Sequence, residues 1–267
     1  MEGEKYMIKL IASDLDGTML WGPDKIVRDE SLELIEALLD QGRTFVAASG
    51  RQYANQKRLF ARIAERIGFI CENGSLLMYR GNVLKKFAYD RETGIELMKS
   101  ILAKDGCEVL LSGVDTCYIQ PKEKSFEDHM KYYVKNNVTV VEDICAVEEP
   151  FLKISVYNRN GLVRIAHDWD EQFGSRANIA MSDKTWLDTG PLGADKGSAL
   201  AAMCEMYGIG TDETLAIGDN YNDIPMFCTA GFPVAMEHGP EEVKKFAKET
   251  AKDVNDILRK VLEGKYD

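Results

Sequence analysis

Two carboxylates lie one residue apart where a short apolar run of the chain ends. Asp14 and Asp16 follow the run from Met7 to Ser13, and Gly17 after them allows the backbone to turn sharply. Such a run is typical of a buried parallel strand, and open parallel sheets bind ligands beyond the carboxyl ends of their strands. A pair of acids there can share a hard cation, one attacking phosphorus while the other handles a proton. An ordinary acidic turn is the alternative interpretation of the same residues.

A second acidic segment, Gly218 to Asp223, follows the apolar run from Thr214 to Ile217. Magnesium prefers oxygen ligands and usually takes a few carboxylates together with water and substrate phosphate. Asp219 is well placed to bind such a cation, and Asp223 could bind it or orient another ligand. The alternative is that an asparagine of the segment caps the short helix that follows.

Two further polar positions lie where helices are predicted to begin. Ser49-Gly50-Arg51 leads from a strand into a helix, and a hydroxyl with free N–H groups at that point suits a phosphate oxygen. Lys196 begins a helix, where a cation opposes the helix dipole, a local cost that a bound phosphate could offset. A helix cap and a solvent-facing lysine are the respective alternatives.

The elements that must position these residues alternate along the chain. Predicted strands cover residues 7–13, 44–48, 69–71, 214–217 and 232–235, and predicted helices cover 30–40, 52–66, 196–207, 223–228, 240–250 and 254–263. This alternation indicates a parallel α/β sheet.

The middle of the chain has a different pattern, with adjacent strands between helices. Predicted strands cover residues 75–79, 83–87, 107–112, 117–120, 138–142, 151–157, 177–181 and 185–187, and helices cover 91–104, 125–136 and 161–173. Paired strands of this kind indicate an antiparallel sheet with helices on one face. We therefore predict a discontinuous core of residues 1–81 and 188–267, with an inserted α+β domain at 82–187.

Composition and charge argue against several classes of partner. The net charge of −11 disfavours nucleic acid and anionic membranes, because such partners select basic surfaces. No apolar run is long enough to span a bilayer, and residues 1–7 lack the apolar core of a signal peptide, although Met7 could equally be the start. The six scattered cysteines favour neither a zinc site nor a disulfide framework, so we predict a cytoplasmic protein. The three histidines, His129, His167 and His238, are predicted to have no catalytic role.

The order of these motifs resembles a known family. D-x-D-G-T at 14–18, a strand-terminal serine, a lysine and G-D-x-x-N-D at 218–223 resemble the haloacid dehalogenase superfamily of phosphotransferases. The insert is similar to the class IIB cap of Cof-type phosphatases, and the segment Cys71 to Ser75 is similar to their N-G-A/S segment. The resemblance covers nearly the whole chain and implies a Rossmann-like parallel core with an α+β cap. The segment from Thr189 to Asp195 departs from the family's usual short run before the lysine.

The resemblance also implies roles for individual residues. Asp14 would be the nucleophile and a magnesium ligand. Asp16 would protonate the leaving alcohol and then activate water, with its backbone carbonyl reaching the metal. Ser49 and Lys196 would hold the phosphoryl oxygens. The remaining implied residues are the metal ligand Asp219 with Asp223 in support, and the substrate-binding residues Gly50, Arg51, Asn73, Gly74 and Asn222.

The function implied is hydrolysis of small-metabolite phosphate monoesters, typically sugar phosphates, with Mg²⁺ and an aspartyl-phosphate intermediate. A sugar phosphomutase remains an alternative, as does a phospho-aspartate signalling module, although a module of that kind needs no leaving-group acid such as Asp16. The expected partner is a small phosphorylated metabolite, and the chain is expected to be a monomer or weak homo-oligomer. The cap should supply contacts to the leaving group. Its polar candidates are Asp115, Lys122, Lys124 and Lys153.

Overall fold

The computed structural model describes residues 7–20, 25–181 and 184–266, with the side chains of residues 163–166 left out. The predicted features of residues 1–6 lie outside these ranges. The described chain divides into two compact units. The first unit comprises the described residues up to Gly50, then Gln56–Lys85 and the described residues from Asp195 onward. The second unit comprises Arg51–Asn55 and Lys86–Ala194.

The strands and helices alternate much as the sequence indicates. The strands are β1 (Leu10–Ser13), β2 (Thr44–Ala48), β3 (Gly68–Cys71), β4 (Leu76–Tyr79), β5 (Asn82–Lys86), β6 (Glu108–Ser112), β7 (Cys117–Ile119), β8 (Val138–Val140), β9 (Lys153–Tyr157), β10 (Ala177–Met181), β11 (Trp186–Pro191), β12 (Thr214–Gly218), β13 (Phe232–Met236) and β14 (Glu249–Ala251). The α-helices are α1 (Asp29–Asp40), α2 (Tyr53–Leu59), α3 (Arg91–Leu102), α4 (Lys124–Asp128), α5 (Val163–Phe173), α6 (Lys196–Tyr207), α7 (Ile224–Thr229), α8 (Glu241–Lys244) and α9 (Val254–Leu262).

The sheet of the first unit has the strand order β14-β13-β12-β1-β2-β3-β4-β5. Pairing is parallel from β14 to β3, and β4 joins antiparallel to β3. Every residue of β1 is buried, as expected for a central parallel strand covered on both faces. Because β1 lies between β2 and β12, the loops that follow these three strands leave the sheet at the same edge.

The sheet of the second unit has the order β10-β11-β9-β6-β7-β8 and is antiparallel except for the pair β7–β8. One face packs against side chains of α3 and α5 in a single apolar cluster that includes Leu97, Val109, Val156, Trp169 and Leu187. The predicted fold class, a parallel α/β core with an α+β insert, is confirmed.

The longer segment of the second unit, Lys86–Ala194, begins and ends a few residues later than the insert predicted at 82–187, and the unit also includes Arg51–Asn55. Strand β5 extends the sheet of the first unit, and β11 continues to Pro191 through its pairing with β10. The assignment of the two units as catalytic core and cap remains a prediction.

The predicted helix at 240–250 is wrong in its second half. Helix α8 ends at Lys244, and Glu249–Ala251 forms the edge strand β14, parallel to β13. Pairing with a distant strand here outweighs the local pattern, because it gives the backbone of Thr250 and its neighbours ladder hydrogen bonds.

Two other predicted helices are shorter than expected. Helix α2 ends at Leu59, and the apolar residues after it lie in turns with hydrogen bonds such as that from the Ile63 N–H to the Phe60 carbonyl, 2.8 Å. The helix predicted at 125–136 is the short α4 followed by a π-helical segment, His129–Val134, which ends where Lys135 adopts a left-handed conformation. Apolar spacing alone does not distinguish these wider or tighter turns from an α-helix. Within the described ranges, no helix combines the length and apolar character needed to cross a bilayer.

The Asp253 carboxylate accepts hydrogen bonds at the N-terminal end of helix α9. It caps the helix by accepting from the Asn255 N–H at 2.9 Å, and it also accepts from the Arg28 guanidinium at 2.8 Å. The hydrogen bond from Arg28 lowers the pKa of Asp253 in the folded protein below its ordinary 3.8. The ionised carboxylate therefore stabilises the fold fully above pH 3.8, and this stabilisation is lost as the pH falls through the lowered pKa of the folded protein.

We expect Asp253→Ala to lower the free energy of unfolding by about 1–2 kcal/mol at pH 7, mainly through the lost cap, since the half-exposed ion pair is screened by solvent. Urea denaturation should show the difference narrowing as the pH approaches and passes below 3.8. The exposed Asp256, on the same helix, is the control, and Asp256→Ala should stay within about 0.5 kcal/mol of wild type. Equal stability of Asp253→Ala and wild type at pH 7 would contradict this account.

Candidate active site

The loop after β1 holds the first predicted carboxylate in a buried position. The Asp14 N–H donates to the Ile217 carbonyl at 2.8 Å, which continues the pairing of β1 with β12 one residue beyond the strand. Gly17 has a φ of +86°, and a Cβ placed there would lie 2.4 Å from the Asp219 carboxylate. Glycine is therefore required for the loops after β1 and β12 to approach this closely.

Lys196 bridges two of the predicted acids. Its Nζ lies 2.6 Å from Asp14 Oδ1 and 2.6 Å from Asp223 Oδ1, and its side chain is fully buried. Burial alone would lower the pKa of Lys196, but the charges of Asp14 and Asp223 outweigh it and raise the pKa above its ordinary value. The lysine is thus a buried, protonated cation, and the alternative of a solvent-facing side chain is wrong. Asp195 caps the helix that Lys196 begins, accepting from the Ser198 N–H at 2.7 Å.

Three carboxylates converge beside this lysine. Asp14, Asp219 and Asp223 each offer an oxygen within 4.8 Å of the others. Asp14 Oδ2 is buried and has no hydrogen-bond partner among the described residues. Burial, assisted by the charges of Asp223 and Asp219, raises the pKa of Asp14 well above its ordinary value despite the opposing charge of Lys196. A buried, unpartnered oxygen among like charges fits the hard oxygen ligands that Mg²⁺ requires.

Asp223 is held by hydrogen bonds on both of its oxygens. Oδ1 accepts from Lys196, and Oδ2 accepts from the N–H groups of Asp219 and Asn220 at 2.9 and 3.0 Å. A Cβ on Gly218 would lie 2.4 Å from this carboxylate. Asp223 therefore orders the loop that carries Asp219. The capping interpretation also holds, because Asn220 Oδ1 accepts from the Tyr221 N–H at 2.8 Å.

Asp219 has two neighbours that the sequence did not assign to the site. Thr18 Oγ1 donates to Asp219 Oδ1 at 3.2 Å, and His238 Nε2 lies 3.6 Å from Oδ2. Burial and the charge of Asp223 raise the pKa of Asp219. Thr18 is the last residue of the D-x-D-G-T motif, and on that basis it could have been included among the predicted site residues. His238 lies in the loop after β13 and belongs to no recognised motif, so the sequence around it gave no reason to place it in the site.

The loops after β2 and β3 meet on another side of the site. Ser49 is buried at the end of β2, and its carbonyl accepts from the Asn73 N–H at 3.1 Å. Gly50 lies against the Asn73 side chain, where a Cβ would approach to 2.8 Å. Asn73 adopts a positive φ of 57° and accepts from Asn222 Nδ2 at 3.2 Å. The contact joins the loop after β3 to the loop after β12.

Gly74 brings the same loop against the start of α6. Its φ is +109°, and a Cβ there would lie 2.3 Å from the Asp195 carbonyl oxygen. Direct contacts thus join the loops that carry Ser49, Gly50, Asn73, Gly74 and Asn222, and Gly74 lies against the residue that precedes Lys196.

The two remaining predicted residues lie outside the carboxylate cluster. Asp16 is on the loop after β1, but its side chain is 41% exposed and Oδ1 lies 3.3 Å from Lys25 Nζ. Arg51 belongs to the second unit, where Nη1 donates to Asn55 Oδ1 at 3.2 Å.

Comparison with known families agrees with the fold. A model described as haloacid dehalogenase-like hydrolase matches residues 11–258, nearly the whole chain. The chain therefore belongs to the haloacid dehalogenase-like hydrolase family. It is an enzyme of the phosphatase type within that family, a phosphoric monoester hydrolase, in keeping with the relatives described next.

Two relatives and two solved structures match this chain over most of their own length. The chain is similar to the 5-amino-6-(5-phospho-D-ribitylamino)uracil phosphatase YbjI of Escherichia coli, with 28% identity over 96% of each chain. It is also similar to YwtE of Bacillus subtilis, a phosphatase of the same name, with 26% identity over 97% of this chain and 100% of that protein. A structure from Eubacterium rectale has a TM-score of 0.86 at 25% identity, covering 95% of this chain and 98% of that one. A haloacid dehalogenase-like hydrolase from Bacteroides thetaiotaomicron has a TM-score of 0.82 at 22% identity, covering 95% and 99%, which supports the fold alone.

Proposed function

We propose that this protein is a Mg²⁺-dependent phosphatase that hydrolyses phosphate monoesters of small metabolites through an aspartyl phosphate on Asp14. One observation carries the proposal. The Asp14 carboxylate is buried with one oxygen bound to Lys196, and its other oxygen has no hydrogen-bond partner among the described residues. An oriented carboxylate beside a fixed cation has the properties of a nucleophile for phosphoryl transfer.

In the first step, an oxygen of Asp14 attacks phosphorus, and the bond from phosphorus to the alcohol oxygen breaks. Asp16 donates a proton to that oxygen, so that a neutral alcohol leaves. The Lys196 ammonium offsets charge on the phosphoryl oxygens, and the Ser49 hydroxyl and Asn222 amide serve as hydrogen-bond donors to the same oxygens.

In the second step, Asp16 takes a proton from water, and the water oxygen attacks phosphorus. The bond from phosphorus to Asp14 breaks, which releases inorganic phosphate, restores the Asp14 carboxylate and leaves Asp16 protonated for the next cycle. Dividing hydrolysis into two displacements is useful because direct hydrolysis of phosphate monoesters is among the slowest uncatalysed reactions.

The metal would be held by Asp14, Asp219 and the backbone carbonyl of Asp16, with Asp223 in support. When bound, Mg²⁺ supplies positive charge against the oxygens of the transferring phosphoryl group. The site on the first unit supports this because it combines three carboxylates with a single buried lysine.

For the substrate we propose a sugar phosphate or a related ester. The relatives from E. coli and B. subtilis are named for a substrate whose phosphate is attached to a ribityl chain. A polyhydroxylated alcohol as leaving group agrees with those names and with the resemblance seen in the sequence.

Phosphate release from a panel of sugar phosphates, nucleotides and p-nitrophenyl phosphate tests the proposal. We expect turnover with Mg²⁺, loss of at least about 100-fold with chelator, and recovery when Mg²⁺ is restored. Circular dichroism of the chelated protein is the control for folding. Unchanged turnover in chelator would contradict the metal dependence. Phosphoryl transfer that needs a trace of sugar bisphosphate and releases no phosphate would indicate a mutase instead.

A further inference from the structure

The loop after β13 lies beside the loop that carries Asp219. Strands β12 and β13 pair in parallel, so the loops that follow them leave the sheet at the same edge. The Gly239 N–H donates to the Met236 carbonyl at 3.0 Å and closes a tight turn that contains His238. A Cβ on Gly239 would lie 2.5 Å from the Asp219 carbonyl oxygen, so glycine allows the turn to come this close to the Asp219 backbone. The turn thus brings His238 next to Asp219.

The Asp219 carboxylate has a polar neighbour at each of its two oxygens. Thr18 Oγ1 donates to Oδ1 at 3.2 Å, and His238 Nε2 lies 3.6 Å from Oδ2. The side chain of Asp219 is 15% exposed and that of His238 is 42% exposed, so the ring covers a carboxylate that is otherwise nearly buried. Each oxygen of a carboxylate can accept more than one bond, so these neighbours leave lone pairs for a cation.

The other two carboxylates of the cluster are held more firmly. Lys196 Nζ lies 2.6 Å from an oxygen of each, and two backbone N–H groups donate to the second oxygen of Asp223. In the described part of the chain, the one hydrogen bond to the Asp219 side chain is the 3.2 Å bond from Thr18. A single long hydrogen bond fixes one oxygen and lets the carboxylate rotate about it. The orientation of Asp219 therefore depends on what stands beside its second oxygen, which is His238.

His238 is placed to act on this carboxylate and not on a bound ion. Within the described ranges, the side chains whose ligand atoms all lie within 4.8 Å of one another are Asp14, Asp219 and Asp223, and His238 is outside that group. Two ligands of one Mg²⁺ lie at most about 4.2 Å apart, because each is about 2.1 Å from the ion. Mg²⁺ also prefers oxygen ligands to an imidazole nitrogen.

We propose that His238 is a positioning residue for metal binding, which donates from Nε2 to Asp219 and, together with Thr18, holds that carboxylate in the orientation that binds the cation. This inference rests on the proposed function. The 3.6 Å separation becomes a hydrogen bond when it shortens by about 0.5 Å, and hydrogen bonds in active sites are often long before their ligands are bound. Residues that orient a metal ligand without touching the ion typically contribute about 10- to 100-fold to metal affinity.

The test measures cation binding in the absence of substrate. The electron paramagnetic resonance signal of free Mn²⁺ gives the Kd for Mn²⁺, and displacement of Mn²⁺ by Mg²⁺ gives the Kd for Mg²⁺. For His238→Ala we expect both Kd values to rise about 10- to 100-fold. His238→Gln keeps an N–H donor of similar reach and should stay within about 3-fold of wild type. His167→Ala, at an exposed histidine of the second unit, is the matched control and should leave both Kd values unchanged.

Three further measurements separate positioning from a structural role. The melting temperature of His238→Ala in metal-free buffer should stay within about 2 °C of wild type, because the ring is half-exposed. The Mg²⁺ concentration for half-maximal phosphate release should rise by the same factor as the Kd, while kcat at saturating Mg²⁺ falls less than about 3-fold. In Thr18→Val/His238→Ala the loss of affinity should be smaller than the product of the single losses, because both residues act through one carboxylate.

Unchanged Kd values in His238→Ala would overturn the role of His238 and leave the proposed phosphatase function intact. An equal loss of affinity in His238→Ala and His238→Gln would also overturn it, because the N–H donor would then be irrelevant. A wild-type protein that binds both cations with the expected dependence on His238, yet releases no phosphate from any ester, would reject the proposed function and not the metal-binding role. A wild-type protein that binds neither cation would reject both.

Discussion

Asp14→Asn is expected to abolish phosphate release, with a loss of at least about 10⁴-fold in kcat, while the protein remains folded. The amide has the shape of the carboxylate but cannot form the bond to phosphorus. Phosphate release in Mg²⁺ with the best substrate of the panel measures the loss. A variant that keeps a rate near that of wild type would exclude Asp14 as the nucleophile.

The same substitution should not reduce stability in metal-free buffer. Burial and the nearby carboxylates raise the pKa of Asp14, which means that the fold disfavours its charged form. A neutral amide relieves that cost, so we expect a melting temperature at or above that of wild type. Asp40→Asn, at an exposed acid on α1, is the matched control and should change neither stability nor rate.

Lys196→Met should impair both activity and stability. The substitution leaves Asp14 and Asp223 buried without the cation that lies 2.6 Å from each of them. Breaking a buried pair in this way costs about 3–5 kcal/mol, because the remaining charges are uncompensated. Urea denaturation in metal-free buffer measures that loss. We also expect kcat to fall at least about 10³-fold, since a preorganised positive charge on the phosphoryl oxygens is removed.

Two comparisons make the Lys196 prediction specific. Lys244→Met removes a lysine from the short helix α8, where its ion-pair partner Glu241 is 80% exposed, and should cost less than about 1 kcal/mol. The double variant Asp14→Asn/Lys196→Met should be less destabilised than the sum of the two single effects. Lys196→Met leaves two buried carboxylates without their cation, and in the double variant one of them is replaced by a neutral amide. A Lys196→Met variant as stable as wild type would contradict the electrostatic account of the site.

Much of the site could be predicted because strand ends in a parallel sheet share an edge. Asp14, Ser49 and Asp219 each follow an apolar run, and the pairing of β1 with β2 and β12 brings those runs side by side. Lys196 is 182 positions from Asp14, and its place in the site was predicted only from the order of the motifs. The order of the motifs along the chain is a property of the whole fold. The local sequence around Lys196, by contrast, is equally compatible with a surface lysine.

The features that sequence reasoning missed depend on contacts between distant segments. Strand β14 exists because Glu249–Ala251 pairs with β13, and its local pattern resembles a helix. His238 approaches Asp219 from a loop without any motif. The Lys153–Asp188 pair joins residues 35 positions apart, and it forms only because β9 and β11 are neighbours in register. Spacing along the chain carries no information about such pairs.

The most direct test of the central claim is to identify the residue that carries phosphate during turnover. The wild-type enzyme is mixed with ³²P-labelled p-nitrophenyl phosphate and Mg²⁺, quenched in acid within milliseconds, digested, and analysed for labelled peptides. Our account predicts an acid-stable, base-labile phosphate on Asp14 that appears before free phosphate accumulates and is absent from Asp14→Asn. Steady phosphate release with Asp14 unlabelled at every quench time, or with the label on another residue, would contradict it.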